Sequence, residues 1–112
     1  DGLPEHGLFG RMVKEARTPQ ELYDAVMQAA EPRQDQWAAQ IQARVQLKAD
    51  VYLYSDYLDD AQTAEALLIP CHDIAETVEA LRGRYGRDAR ICVLPEGPQT
   101  VPYIREPAAA AV

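Results

Sequence analysis

Positive charge is in short supply in this chain: 11 Lys and Arg stand against 18 Asp and Glu, a formal net charge of −7 over 112 residues. Nucleic acids and anionic membrane surfaces are gripped by clustered cations, so neither is expected as a partner. Long apolar runs are missing too, the longest being a few residues against the roughly 20 that cross a bilayer. No charged segment followed by an apolar one opens the chain, so no signal peptide is read. Two cysteines, Cys71 and Cys92, are too few for a disulfide scaffold, and nothing has the spacing of a Cys/His metal cluster. What remains is the composition of one globular domain, 47% hydrophobic and 26% charged, expected in the cytoplasm. Asp1-Gly2-Leu3-Pro4 reads as the middle of a turn, and the expectation is a piece of a larger protein.

Punctuation along the chain predicts the elements. Leu8, Met12 and Val13 are spaced for one face of a helix over about 7–16. Thr18-Pro19-Gln20-Glu21 supplies an N-cap, a proline at the first helical position and a capping-box carboxylate. Leu22, Ala25, Val26 and Ala29 follow at helical spacing, to about Ala30. The third helix is predicted from Gln34 or Asp35 to Ala49, with Ala38, Ile41 and Val45 as its apolar stripe. Its glutamines at 34, 36, 40, 42 and 46 cannot form a hydrophobic core, so that face is expected to meet solvent, a polar cavity or another protein.

Val51 to Tyr54 is β-branched and aromatic, the composition of a strand. A short helix is expected over 59–67, then a brief extended piece at Leu68-Ile69 before Pro70. Asp73 with Glu76 repeats the capping signature, Ile74, Val78, Leu81 and Tyr85 give the next helix an inner face, and Gly86 suits its C-cap. Arg90 to Leu94 is the clearest strand, an apolar run fitted to a sheet covered on both faces. The alanine-rich tail, 107–112, is expected to be disordered. Strands alternating with helices predict an α/β fold: a layered, mostly parallel short sheet flanked by helices. Two or three visible strands are fewer than a comfortable sheet, so this is expected to be an incomplete part of a larger α/β lobe.

Ligands of open parallel sheets gather beyond the carboxyl ends of the strands, here Ser55-Asp56-Tyr57 and Pro95 to Thr100. Neither has a phosphate-binding glycine pattern, and the second reads as a rigid connection shaped by Pro95, Pro98 and Pro102. Cys71 beside His72 is a poor nucleophile–base pair, because adjacent side chains rarely face each other and no third group orients them. Cys71 and Cys92 are expected in the core, His6 in a glycine-flanked turn, and Asp59-Asp60 at a helix start. Asp35-Gln36-Trp37 holds the single Trp of the chain in the first turn of a helix, with Gln36 and Gln40 beside it. It reads either as surface packing or as an aromatic plate with amides for a planar ligand.

Asp35 to Arg44 (DQWAAQIQAR), Val51 to Ser55 (VYLYS) and Ile91 to Tyr103 (ICVLPEGPQTVPY) together resemble the C-terminal domain of the nickel-dependent lactate racemase family. The opening Asp1 to Gly7 with Phe9 resembles that family's turn before a helix. The resemblance implies that residues 1–106 are the distal part of the C-terminal lobe of a two-lobed isomerase. The cleft of such an enzyme binds a nickel-pincer nucleotide, and a hydride leaves and returns to the α-carbon of a 2-hydroxy acid. It further implies that the catalytic histidines and the metal ligand belong to the N-terminal lobe, the partner of this chain. No catalytic or metal residue is therefore expected here, and the chain alone is expected to be inactive and to bind no cofactor. One residue is carried over, Trp37, with Gln36 and Gln40 as its neighbours in cofactor or substrate binding. The alternative is a stand-alone α/β module that binds a partner protein through an exposed sheet edge or the Gln-rich helix. If upstream strands are missing, self-association is expected through that edge or through the surface that meets the first lobe.

Overall fold

The structure, a computed structural model, describes residues 7–103. The opening turn with His6 and the tail 107–112 lie outside the described residues. Five helices and two short strands follow in the order α1 (Leu8–Glu15), α2 (Pro19–Met27), α3 (Gln36–Gln46), β1 (Tyr52–Leu53), α4 (Asp60–Glu65), β2 (Ile69–Pro70) and α5 (Ile74–Tyr85). Strands β1 and β2 pair in parallel, Tyr52 opposite Ile69 and Leu53 opposite Pro70. Parallel neighbours need a crossover, and α4 supplies it. The chain is thus a small α/β domain.

Local signals set the helix starts. The Thr18 side chain accepts from Glu21 N–H at 3.1 Å, while the Glu21 carboxylate reaches past the cap to Arg17 N–H at 2.8 Å. Asp59 and Gln62 close a full capping box on α4, and Asp73 accepts from Glu76 N–H at 2.9 Å. Gly86 ends α5 at φ +93°, a conformation that costs glycine little.

The core is helical. Val13 of α1, Leu22 and Val26 of α2, Ala39 and Ala43 of α3, and Ala66 after α4 are buried together, with Phe9, Met12 and Tyr23 packed against them. Ala39 and Ala43 have no exposed surface; having only a methyl group each, they let α3 lie closely on α2.

Helix α3 is therefore rotated from the expected orientation. Ile41 and Val45 are about half exposed, while Gln36, Gln40, Gln42 and Gln46 are partly buried. The reason lies in the neighbours. A helix leaves its last carbonyls without partners, and α3 crosses two such ends. Gln36 Nε2 donates to the Val26 carbonyl at the end of α2, 2.7 Å away. Gln42 Nε2 donates to the Ala66 carbonyl at 2.8 Å, and Gln46 Nε2 to the Leu67 carbonyl. Both of those carbonyls follow the end of α4, where Leu67 turns left-handed at φ +59°. The glutamine face serves as a C-cap for two helices at once.

The second departure is at Arg90 to Leu94. This run forms no strand and has no backbone partner among the described residues, with Ile91, Val93 and Leu94 at 59%, 77% and 40% exposure, and Cys92 is exposed instead of core. Helix α5 forms as expected, yet it has no buried residue; Ile74 and Tyr85 are 60% and 63% exposed. An inner face needs something to lie on, and among the described residues this one is covered only in part, with Val78 and Leu81 half-buried.

Candidate functional site

Trp37 occupies the second position of α3, so the helix backbone fixes its Cα–Cβ direction. The ring is 68% exposed, which excludes it from the core. It stands on the rim of a groove of about 610 Å³ between the end of α2 and the start of α3. Val26, Met27 and Pro32 make the apolar part of the lining; Gln36, Gln40 and Arg33 make the polar part. That volume falls in the range of small-molecule sites.

The two glutamines differ in what they have left to offer. Gln36 is fully engaged: its Nε2 holds the Val26 carbonyl, and its Oε1 accepts from Arg33 N–H at 2.8 Å. Its amide ties the Pro32 turn to the end of α2 and so sets where α3 begins. Gln40 makes one weak contact, Nε2 to the Met27 sulfur at 3.3 Å, and its carbonyl oxygen is unengaged among the described residues. Asp35 enters α3 in the left-handed region, φ +61°, with no side-chain cap. Arg33 is the residue that sequence reasoning passed over. It is the cation of the groove lining, and its position two residues before the Asp-Gln-Trp run was the available signal.

From Trp37 an exposed ridge continues along α3 through Ile41 and Val45, at i+4 and i+8. Arg44 and Lys48 border it, lining a shallow recess with the two aliphatic side chains. The ridge is apolar in the middle and cationic at one side, on an acidic chain.

The other candidates have structural partners. Cys71 is buried, with its sulfur 3.1 Å from Thr77 Oγ1, whereas His72 Nε2 lies 3.3 Å from Asp60 Oδ1. The two side chains take separate partners and form no pair. In the loop after β1, Ser55 Oγ accepts from Tyr57 N–H, and Tyr54 OH donates to Asp56 at 3.3 Å. That carboxylate raises the Tyr54 pKa above 10.0, first by its charge and then by the hydrogen bond. Pro95 to Thr100 contains a single 3₁₀ turn, Gly97–Gln99, closed by Thr100 Oγ1 on the Glu96 carbonyl. No group of three or more His, Cys, Asp or Glu converges among the described residues. A flat ring is different: Trp37, with the groove beside it, offers one a stacking face and polar edges.

Comparison with known proteins completes the site's context. The family model described as the lactate racemase C-terminal domain matches residues 1–101. A curated relative, the lactate racemase of Thermoanaerobacterium thermosaccharolyticum, is 27% identical over 99 residues, covering 87% of this chain. The chain spans 23% of that relative's length. No solved structure matches. Among the described residues, no helix is long and apolar enough to cross a membrane.

Proposed function

We propose that this chain, which belongs to the lactate racemase C-terminal domain family, builds one wall of the active-site cleft in a 2-hydroxy acid racemase. Residues 1–106 are then the distal part of the C-terminal lobe, and the N-terminal lobe of the same protein is its partner. The observation that carries the reading is Trp37: a large ring held by a helix, 68% exposed, on the rim of a groove with a cation and a free amide oxygen.

The roles divide by geometry. Trp37 offers a flat face to a planar nickel-pincer nucleotide. Gln40 and Arg33 offer an acceptor and a cation to polar or anionic edges of that cofactor or the substrate. Gln36 acts as a positioning residue, because both ends of its amide are engaged in fixing the start of α3. The ridge of Ile41 and Val45 closes against the other lobe and excludes water. When bound, the cofactor supplies a hydride acceptor for the substrate α-carbon; this chain binds and orients, and the reacting groups come from the other lobe. The chain alone holds no nickel and leaves lactate unchanged.

Stacking contributes about 0.5–1.5 kcal/mol beyond area burial, and a cationic ring in a desolvated cleft raises this to about 2 kcal/mol. At about 1.4 kcal/mol per decade, the same range makes Trp37→Ala in the whole racemase weaken cofactor or substrate engagement by about two- to thirty-fold. The melting temperature stays nearly constant, because Ala39 and Ala43, not Trp37, pack α3 on the core. Unchanged racemisation per folded molecule, with a large fall in melting temperature, would return Trp37 to a packing role.

A further inference from the structure

The two-stranded sheet leaves one edge open, and a segment of strand-like composition after α5 has no backbone partner among the described residues. Ile69 and Cys71 turn their N–H groups toward β1, bonding to the Val51 and Leu53 carbonyls at 2.9 Å each. Residue 70 therefore faces outward, and it is proline, which has no N–H to donate. The outer edge of β2 is closed to pairing. On β1, alternation turns the Tyr52 N–H and C=O away from β2, and neither meets a backbone partner among the described residues. That edge is open.

Arg90 to Leu94 has the composition of a strand buried on both faces, yet none of its N–H groups donates to a backbone carbonyl among the described residues. Beside it, α5 presents Val78 and Leu81 with Ile91 to an uncovered groove of about 480 Å³. Direct pairing of 90–94 on β1 would need only groups already in this chain, and it does not occur. One additional strand pairing with both would satisfy the open edge of β1 and the unpaired groups of 90–94. The relative matched by this chain has roughly three-quarters of its length outside the match, ample to supply it.

We propose that in the whole racemase one apolar strand from the rest of the polypeptide inserts parallel to β1, on its open edge. Arg90 to Leu94 pairs on the far side of the inserted strand, giving the order β2, β1, inserted strand, 90–94. The completed sheet then covers the apolar side of α5. This inference rests on the family assignment and not on the role of Trp37, so either can fail alone.

The two cysteines make the test internal to the protein. In the whole racemase, Cys92 is expected to react with a maleimide at least about 100-fold more slowly than in the same protein unfolded in guanidinium. That ratio corresponds to about 2.8 kcal/mol. Cys71, buried in the domain itself, reports that the domain is folded. Slow hydrogen exchange at the amides of 91–94 is expected alongside, and Val93→Asp is expected to restore Cys92 labelling while Cys71 stays protected. Cys92 reacting at the unfolded rate while Cys71 is protected overturns the proposal, as does fast exchange at 91–94 in the unmodified protein. Cys92 protection that vanishes on dilution, in step with dimer dissociation by sedimentation, also overturns it and assigns the edge to a second copy.

Discussion

Leu22 in α2 has no exposed surface, whereas α5, three residues longer, buries nothing. Both helices have a capped start and apolar residues at helical spacing, so local chemistry does not distinguish them. The difference is in what lies opposite. Helix α2 faces α3 across two alanines and closes a core with α1 and the end of α4. Helix α5 touches the rest of the domain through Thr77 on Cys71 and Arg84 on Asp50, and its apolar side shares a groove with Ile91. Fully burying a leucine is worth about 1.5–3 kcal/mol relative to leaving it exposed. The residues before Asp73 hold that stabilisation in this chain, and those after it do not.

The sharpest way to break this contrast is a pair of truncations in the 112-residue chain. Leu22→Ala is expected to cost about 3 kcal/mol, within the usual 2–5 for a buried leucine. Val93→Ala, at a site 77% exposed, is expected to stay within about 0.5 kcal/mol. Urea unfolding of both variants decides it; comparable losses would mean that the second half has a core of its own.

A smaller effect probes the glutamine face. Gln42→Ala removes the donor to the carbonyl of buried Ala66 and is expected to destabilise by about 1–2 kcal/mol. Gln34→Ala, on an exposed turn residue, is expected to change nothing measurable. Equal, negligible effects would reduce the glutamines to a solvated surface. Below that comes the α4 cap: Asp59→Ala is expected to cost about 1 kcal/mol, with Asp59→Asn largely retaining the cap, read by thermal melting.

The smallest change is in titration. Folded Tyr54 holds its proton more tightly than the unfolded chain does, because Asp56 disfavours the phenolate. Any stability it contributes is present below pH 10.0, the ordinary value, and is lost as pH rises through the raised folded value. By ultraviolet titration, Asp56→Asn is expected to bring Tyr54 back toward its ordinary range. A tyrosine titration curve unaltered by that change would rule out the pairing.

Much of this was legible along the chain, and particular residues show why. Thr18, Asp59 and Asp73 announce their helices because a cap bonds to backbone three residues away. Leu22 and Val26 were legible as core because their neighbours repeat at one period. Trp37 was legible as a plate candidate because a single ring in a first turn is unusual, but whether it faced out depended on the rotation of α3. That rotation was not legible. Periodicity assigns Ile41 and Val45 inward by polarity alone, and it has no knowledge of two helix ends whose carbonyls need the amides of Gln36, Gln42 and Gln46.

What the amino-acid order by itself determined is what closes within a few residues: helix starts and stops, the α/β alternation and the acidic surface. Tertiary structure alone decided which face of α3 is inside, where Cys71 and Cys92 sit, and whether a strand-like run finds a partner. Caps and turns are satisfied by neighbours in sequence, whereas burial and sheet pairing are satisfied by surfaces far away in the chain or beyond it.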